Sequence, residues 1–301
     1  MEKIPRARLE LLTEARKHEV HLDDENPIHV RRGVVTAPGS VDPPVYHPYL
    51  EFGIRLKGTG HLFIEGLPFE RLPYDVYLGG INQVHWGTTQ TVPMEYITVY
   101  FLPGFLSDWG VGRDVIGILN RFSNSLEPKH HLIRPDRKMR NELLKGFKAM
   151  HEEFRSDEFG KQIRLRTLLV GMLVELIRWE KRNGASYNAS MVTSDDWQPV
   201  LKAMKYIRAH CAETVYGREV AREVGVSETR LKMAFSRTLK MPWVKYLQIC
   251  RVHRAEMLLR QPDRTVADVA FEVGFQSLSH FYRTCRAVTG TSDLRRAPKQ
   301  S

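Results

Sequence analysis

Three polar residues in the first third of the chain, His47, Glu51 and His85, have the makings of a two-histidine, one-carboxylate iron site of the kind oxygenases use. The alternative is that they line a ligand cavity or are satisfied inside a core. Tyr49, Tyr77, Trp86 and Tyr100 offer flat apolar faces suited to stacking on a sugar or an aromatic ligand, or to packing a core. Other chemistry is sparse. No phosphate-binding glycine loop, cysteine-based zinc spacing or nucleophile elbow occurs. Cys211, Cys250 and Cys285 are an odd number in motif-free surroundings, which suits a reducing compartment. Beyond His47, Glu51 and His85 the sequence offers no catalytic set.

Those candidates sit among short strand-like runs over residues 28–103. Leu50, Phe52, Ile54 and Leu56 alternate with Glu51, Gly53 and Arg55, the period of a half-buried strand. Gly58-Thr59-Gly60 turns the chain into His61-Leu62-Phe63-Ile64, and Glu65-Gly66 turns it again. Tyr96 to Phe101 alternates once more before Pro103-Gly104. Several short strands with regular turn signals predict a sandwich or barrel. From Pro135 to Arg182 the texture is helical, with Leu165, Leu169, Met172, Leu176 and Trp179 in one stripe. Such a stripe suits either an internal core or a dimer seam, and it is expected here as the seam. Polar residues from Arg182 to Asp196 read as a linker.

The formal net charge of +10 is unevenly placed. Residues 191–301 carry 19 Lys/Arg against 11 Asp/Glu, leaving 26 against 24 in residues 1–190. A locally basic domain is what polyphosphate binding requires, because each neutralised phosphate releases counterions. The same third of the chain contains a repeat. Val220-Ala-Arg-Glu-Val-Gly-Val-Ser227 and Val269-Ala-Phe-Glu-Val-Gly-Phe275 each place Ala four residues before Gly, and the two glycines are 49 residues apart. The small residue lets two helices approach, and the glycine takes the left-handed conformation that ends the first. Ser227 and Ser277 then cap second helices, anchored by Leu231 and Phe235 in one copy and Phe281 and Cys285 in the other. Two copies of this skeleton predict paired helix-turn-helix units.

The last hundred residues resemble the AraC/XylS family. The resemblance rests on Arg251-Val-His-Arg254-Ala255-Glu-Met-Leu258-Leu259, Val266-Ala-Asp-Val-Ala270, and Gly274-Phe275-Gln-Ser277-Leu-Ser279-His280-Phe281-Tyr-Arg283. Two departures are visible: Lys240 stands where the family usually has Gly, and Gly290 to Arg296 lacks the usual Pro and aromatic residue. The resemblance implies that each second helix enters a major groove, the two reaching successive grooves about 34 Å apart. It points to Thr229, Lys232, Met233 and Arg237 in the first helix, and to Leu278, Ser279, His280 and Arg283 in the second. Lys232 and Arg283 suit guanine or phosphate, while Met233 and Leu278 suit a thymine methyl.

Many family members carry a cupin-type barrel before this domain, and residues 40–103 look like one. The cues are His47-Pro-Tyr-Leu-Glu51, the turns at Gly58, Gly60 and Gly66, Leu72-Pro73-Tyr74-Asp75, and His85. The cupin Pro-Gly-Asp is here Pro73-Tyr74-Asp75, and the Pro-Pro that often follows is Gly79-Gly80. Enzyme cupins carry a His-x-His pair that this chain lacks, and the family's own barrels are usually metal-free, so no metal and no cofactor are expected.

The resulting expectation is an α+β multidomain protein. Residues 1–133 form a cupin-like effector-sensing domain, 134–190 a helical dimerisation region and linker, and 191–301 a DNA-binding domain with units at about 216–240 and 265–290. His47, Tyr49, Glu51, Tyr77, His85, Trp86 and Tyr100 are its expected effector-binding residues. The implied activity is non-enzymatic transcription regulation in the cytoplasm. The implied partners are double-stranded promoter DNA, a small-molecule effector such as a sugar or small acid, a second copy of the chain, and RNA polymerase if the protein activates. No membrane-spanning run or signal-peptide core is apparent. The competing reading is a metal-dependent cupin oxygenase fused to a DNA-binding module.

Overall fold

The structure is a computed structural model and describes residues 15–18, 20, 22, 25–109, 112–122, 127–184, 194–259, 261 and 263–289. The chain divides into two compact units, one holding the strands and the first three helices, the other the remaining helices.

The first unit contains two five-stranded sheets. One is ordered β1 (Arg16–Lys17), β3 (Val45–Tyr46), β8 (His85–Thr89), β5 (Gly60–Ile64), β6 (Leu67–Arg71). The other is ordered β10 (Leu132–Ile133), β7 (Val76–Gly79), β4 (Leu50–Lys57), β9 (Met94–Phe101), β2 (Ile28–Val35). The expected barrel is thus a pair of facing sheets that does not close. Glu65 and Gly66 both take positive φ, 50° and 78°, in the two-residue turn between β5 and β6, as a tight hairpin requires.

The alternation in β4 has a different origin from a half-buried strand, since Leu50 through Arg55 are all buried. Both faces are covered. Register places Glu51, Gly53 and Arg55 on the same face as Tyr77 and Gly79 of β7 and Tyr96, Thr98 and Tyr100 of β9. That polar face meets the other sheet: Tyr77 packs with Leu62 and Ile64, and His85 reaches Glu51. The opposite face, with Leu50, Phe52, Ile54, Leu78, Val99 and Phe101, is apolar and buried. It packs beneath helix α2 (Arg137–Arg155), where the Phe52 and Phe147 rings lie 4.7 Å apart. The larger apolar core therefore lies between sheet and helices, and the space between the sheets mixes polar groups with a small cluster of Leu62, Ile64 and Tyr77.

Helix α2 pairs with α3 (Lys161–Arg182), the two following α1 (Arg113–Asn120). Asp136 caps α2, its carboxylate accepting from the Met139 N–H at 2.8 Å and from Trp179 Nε1 at 2.7 Å. The predicted stripe of α3 meets Met139, Leu143, Phe147 and Met150 of α2. Leu165, Leu169 and Leu176 are 0% exposed within the single chain, and Met172 is buried too. The seam reading is corrected for Leu165, Leu169, Met172 and Leu176, a face already covered by its own hairpin, while Trp179 stays half-buried. A Cβ on Gly146 would sit 2.5 Å from Met172 Sδ, so the glycine sets how closely the helices cross. Buried Arg121 and Glu180 tie this hairpin to the turn after α1, with Nε–Oε2 at 2.9 Å and Nη2–Oε1 at 3.0 Å.

Of the expected linker, Arg182 closes α3, Asn183 and Gly184 turn, and residues 185–193 lie outside the described residues. The second unit begins at α4 (Ser194–His210), whose Trp197, Val200, Leu201, Met204 and Ile207 are buried. It continues with α5 (Gly217–Val224), α6 (Glu228–Leu239), α7 (Trp243–Leu259), α8 (Val266–Glu272) and α9 (Leu278–Thr289). The departure noted at Gly290 to Arg296 lies outside the described residues.

Candidate functional site

The two copies of the repeat fold alike. Helix α5 ends at Gly225 (φ 75°, ψ 33°), and the Val226 N–H returns to the Ala221 carbonyl at 2.9 Å. Helix α8 ends beside Gly274 (φ 95°), and the Phe275 N–H returns to the Ala270 carbonyl at 3.0 Å. Each closure is the six-to-one bond that a left-handed glycine permits after a helix. Ser227 Oγ then accepts from the Arg230 N–H at 3.2 Å, and Ser277 Oγ from the His280 N–H at 3.3 Å. Both second helices are 12 residues long. Lys240 ends α6 in the left-handed region too, at φ 51°, without a glycine's freedom.

Anchors and exposed residues alternate as a docked helix demands. Leu231, Ala234 and Phe235 are buried on α6, and Phe281, Thr284 and Cys285 on α9. Thr229, Lys232, Met233 and Arg237 are exposed on α6, as are Ser279 and Arg283 on α9. Leu278 and His280 are only half exposed: Leu278 packs on the core, and the His280 ring lies 5.4 Å from that of Phe275. Sequence reasoning passed over Tyr282 and Arg286, which with Arg283 line one shallow depression on the outer face of α9. Helical spacing could have found both, since Ser279, Tyr282, Arg283 and Arg286 follow steps of three and four.

Helix α7 joins the two copies of the repeat. Val252, Ala255 and Leu259 enter the core of the second copy with Val269, Ala270, Phe275 and Phe281. Arg251 donates from Nε to the Cys211 carbonyl at 2.7 Å and from Nη2 to the Glu213 carbonyl at 2.8 Å, with its guanidinium over the Phe275 ring. One side chain thereby clamps the end of α4 to the second turn.

A separate polar cluster lies in the first unit. His47 and His85 each hold Nδ1 against a main-chain carbonyl, Tyr49 O at 2.9 Å and Gln83 O at 3.0 Å. Each turns Nε2 toward Glu51 Oε2, at 3.2 Å and 3.0 Å. Burial pushes the Glu51 carboxyl up, but the His85 charge and the hydrogen bonds from both imidazoles outweigh it and hold Glu51 below the usual carboxylate range. Burial works against protonated His85, and the facing Glu51 carboxylate overrides it, raising His85 above the usual histidine value. His47, deeper still, is lowered by burial. Their ligand atoms lie within 4.8 Å of one another, a spacing that admits a metal ion as readily as a proton.

Tyr49 stacks on His47 at 4.2 Å, Tyr100 lies 5.7 Å from it, and Tyr77 is 5.4 Å from His85. Six of the seven expected effector residues are thus brought together. Trp86 is not: it points to the other side of its strand from His85 and stacks on Phe63 at 4.8 Å. Arg55, Arg71 and Tyr96 share the inter-sheet space and were missed, although Arg55 falls on the alternation that carries Glu51 and Gly53.

Residues 220–293 match the model of a helix-turn-helix domain. An uncharacterized HTH-type transcriptional regulator of Staphylococcus aureus is 30% identical over 122 residues, 40% of this chain, which spans only 16% of that relative's length. The HTH-type transcriptional regulator YbfI of Bacillus subtilis is 25% identical over 243 residues, 79% of this chain and 80% of its own. Among solved structures, ToxT of Vibrio cholerae aligns at 13% identity and a TM-score of 0.48, covering 89% of this chain and 97% of ToxT. An AraC-type DNA-binding domain protein of Chromobacterium violaceum aligns at 26% identity and a TM-score of 0.33, covering 36% and 98%. The repeated turn, its caps and the matched residues show that the C-terminal unit of this chain carries a helix-turn-helix domain.

Proposed function

We propose that the chain is a sequence-specific DNA-binding transcription regulator, and that its first unit binds a small effector. The observation that carries this is the pair of capped second helices, each anchored by aromatic and aliphatic side chains and presenting exposed polar and basic residues. Lys232, Arg237, Arg283 and Arg286 supply phosphate and guanine contacts, and exposed Met233 suits a thymine methyl. Packing of both helices against α7 fits entry into successive grooves of one duplex face.

The buried polar face between the sheets supports an effector site, because polar groups are not enclosed at such density to hold a fold together. No helix among the described residues is long and apolar enough to cross a membrane, and a cytoplasmic regulator without enzymatic activity is the reading that fits. A homodimer that reads two half-sites gains affinity through effective concentration. It would use exposed Phe159, just before α3, and Ile163 in its first turn, in place of the buried stripe. RNA polymerase is a partner if the protein activates.

The test is fluorescence anisotropy of the full chain on promoter fragments across a salt series. Affinity falls steeply with salt, and Arg283→Ala relaxes the preference at one base pair by about 1–3 kcal/mol. Equal, salt-insensitive binding to random duplex would remove the assignment.

A further inference from the structure

We infer that the effector is a small hydroxylated acid, its acid group taken by Arg55 and Arg71 and a hydroxyl by Glu51. This rests on the effector reading above and adds its chemical class.

Two arginines reach the inter-sheet space from opposite sheets, Arg55 on β4 and Arg71 at the end of β6. Arg55 is 2% exposed. The Nε of each is enclosed and has no hydrogen-bond partner among the described residues. Arg55 Nη1 donates only a long bond, 3.4 Å, to the Arg71 carbonyl, and Arg71 lies over the Tyr77 ring at 5.9 Å. Of the nearby carboxylates, Asp42 acts on Arg55 only through space, and the other two are engaged elsewhere. Asp75 Oδ2 accepts from the Leu72 N–H at 2.8 Å and Arg134 Nε at 3.4 Å, and Glu51 Oε2 takes both imidazoles. An enclosed guanidinium without its anion is costly, which is why burial lowers both groups, Arg55 to about 9. A planar acid group satisfies both forks at once.

The same space offers an acceptor. Both imidazoles meet Oε2 of Glu51, leaving Oε1 without a hydrogen-bond partner among the described residues and placed to receive a ligand hydroxyl. Gly53, between Glu51 and Arg55 on that face, keeps the floor low: a Cβ there would stand 3.2 Å from Thr98 Oγ1 and 3.7 Å from Arg71 Nη2. A ligand with an acid at one end and hydroxyls beside it matches both ends of the site.

The experiment is isothermal titration and thermal unfolding of the full chain with galacturonate and gluconate. Neutral galactose and sorbitol, unhydroxylated propionate and inorganic phosphate serve as comparisons. At least one hydroxy acid is expected to bind and raise the melting temperature where its neutral counterpart does not. Arg71→Met is expected to weaken that binding at least about 30-fold, and Glu51→Gln to erase the advantage over propionate. Without ligand, Arg55→Met and Arg71→Met should melt no lower than the parent, because each removes an unpaired buried charge. A parent that favours no acid over its neutral counterpart, a shift that survives Arg71→Met, or a ligand-free Arg71→Met that melts well below the parent overturns the proposal. Promoter binding by the same variants is read in parallel, so that failure here is separable from failure of the DNA-binding reading.

Discussion

Gly225 and Gly274 occupy equivalent turns, yet alanine should be tolerated very differently at the two. At Gly225 a Cβ meets nothing within 4 Å, so Gly225→Ala costs only left-handed strain, about 1–2 kcal/mol. At Gly274 the same strain applies, and the Cβ would also stand 2.8 Å from the Ala212 carbonyl oxygen and 2.9 Å from Arg251 Nη2. The carbonyl is main chain and cannot rotate away. Arg251 can swing out only by giving up its bonds to Cys211 O and Glu213 O, charge-assisted contacts worth roughly 1.5 kcal/mol or more apiece. Gly274→Ala is therefore expected to cost about 4 kcal/mol, some 2–3 kcal/mol beyond its counterpart. Hydrogen exchange read peptide by peptide separates the two copies, because each opens with its own local free energy. In Gly225→Ala the loss of protection is confined to residues 217–239. In Gly274→Ala it covers residues 266–289 and extends to the end of α4. A second round in Arg251→Met should shrink the excess at Gly274, exposing the coupling as non-additivity. Equal losses in the two variants, within about 1 kcal/mol, would refute the argument that the Arg251 clamp makes the second turn intolerant.

Lys240→Gly should stabilise the first copy by about 1 kcal/mol, read as slower exchange in α6, since it relieves a left-handed lysine. Glu180→Leu strands buried Arg121 and is expected to cost about 3–5 kcal/mol in the first unit by urea unfolding, while Arg121→Met with Glu180→Leu recovers most of it. Thermal stability of the first unit should fall on both sides of pH 6.5. Below 6.5, His18 and His131, each lowered by burial to about 4, must bind protons on unfolding; above it, raised His85 loses the charge that pairs with Glu51. Glu51→Gln flattens the alkaline limb, and an unchanged limb there would discard the His85 assignment.

Local patterns in the chain were enough to determine the helix-turn-helix pair. Ala221 and Gly225, Ala270 and Gly274, Ser227 and Ser277 act within a few residues of themselves, through a turn, a closing bond and a cap that need no distant partner. The basic bias of that third is read from composition, and the positions Thr229, Lys232, Met233 and Arg283 are those the AraC/XylS resemblance implies. Residues acting across long separations were not legible. Nothing in the spacing of Leu165, Leu169 and Leu176 says whether α2 or another chain covers them, because the stripe is the same in either case. Glu51, Gly53 and Arg55 looked like the wet face of a half-buried strand, and the second sheet makes that face an interior. Arg71 gave no local signal, since its role arises from a strand of one sheet meeting Tyr77 and Arg55 of the other. Helical register is a property of neighbours along the chain, whereas which polar groups share an enclosed space depends on how sheets and helices pack, and that only the tertiary structure decided.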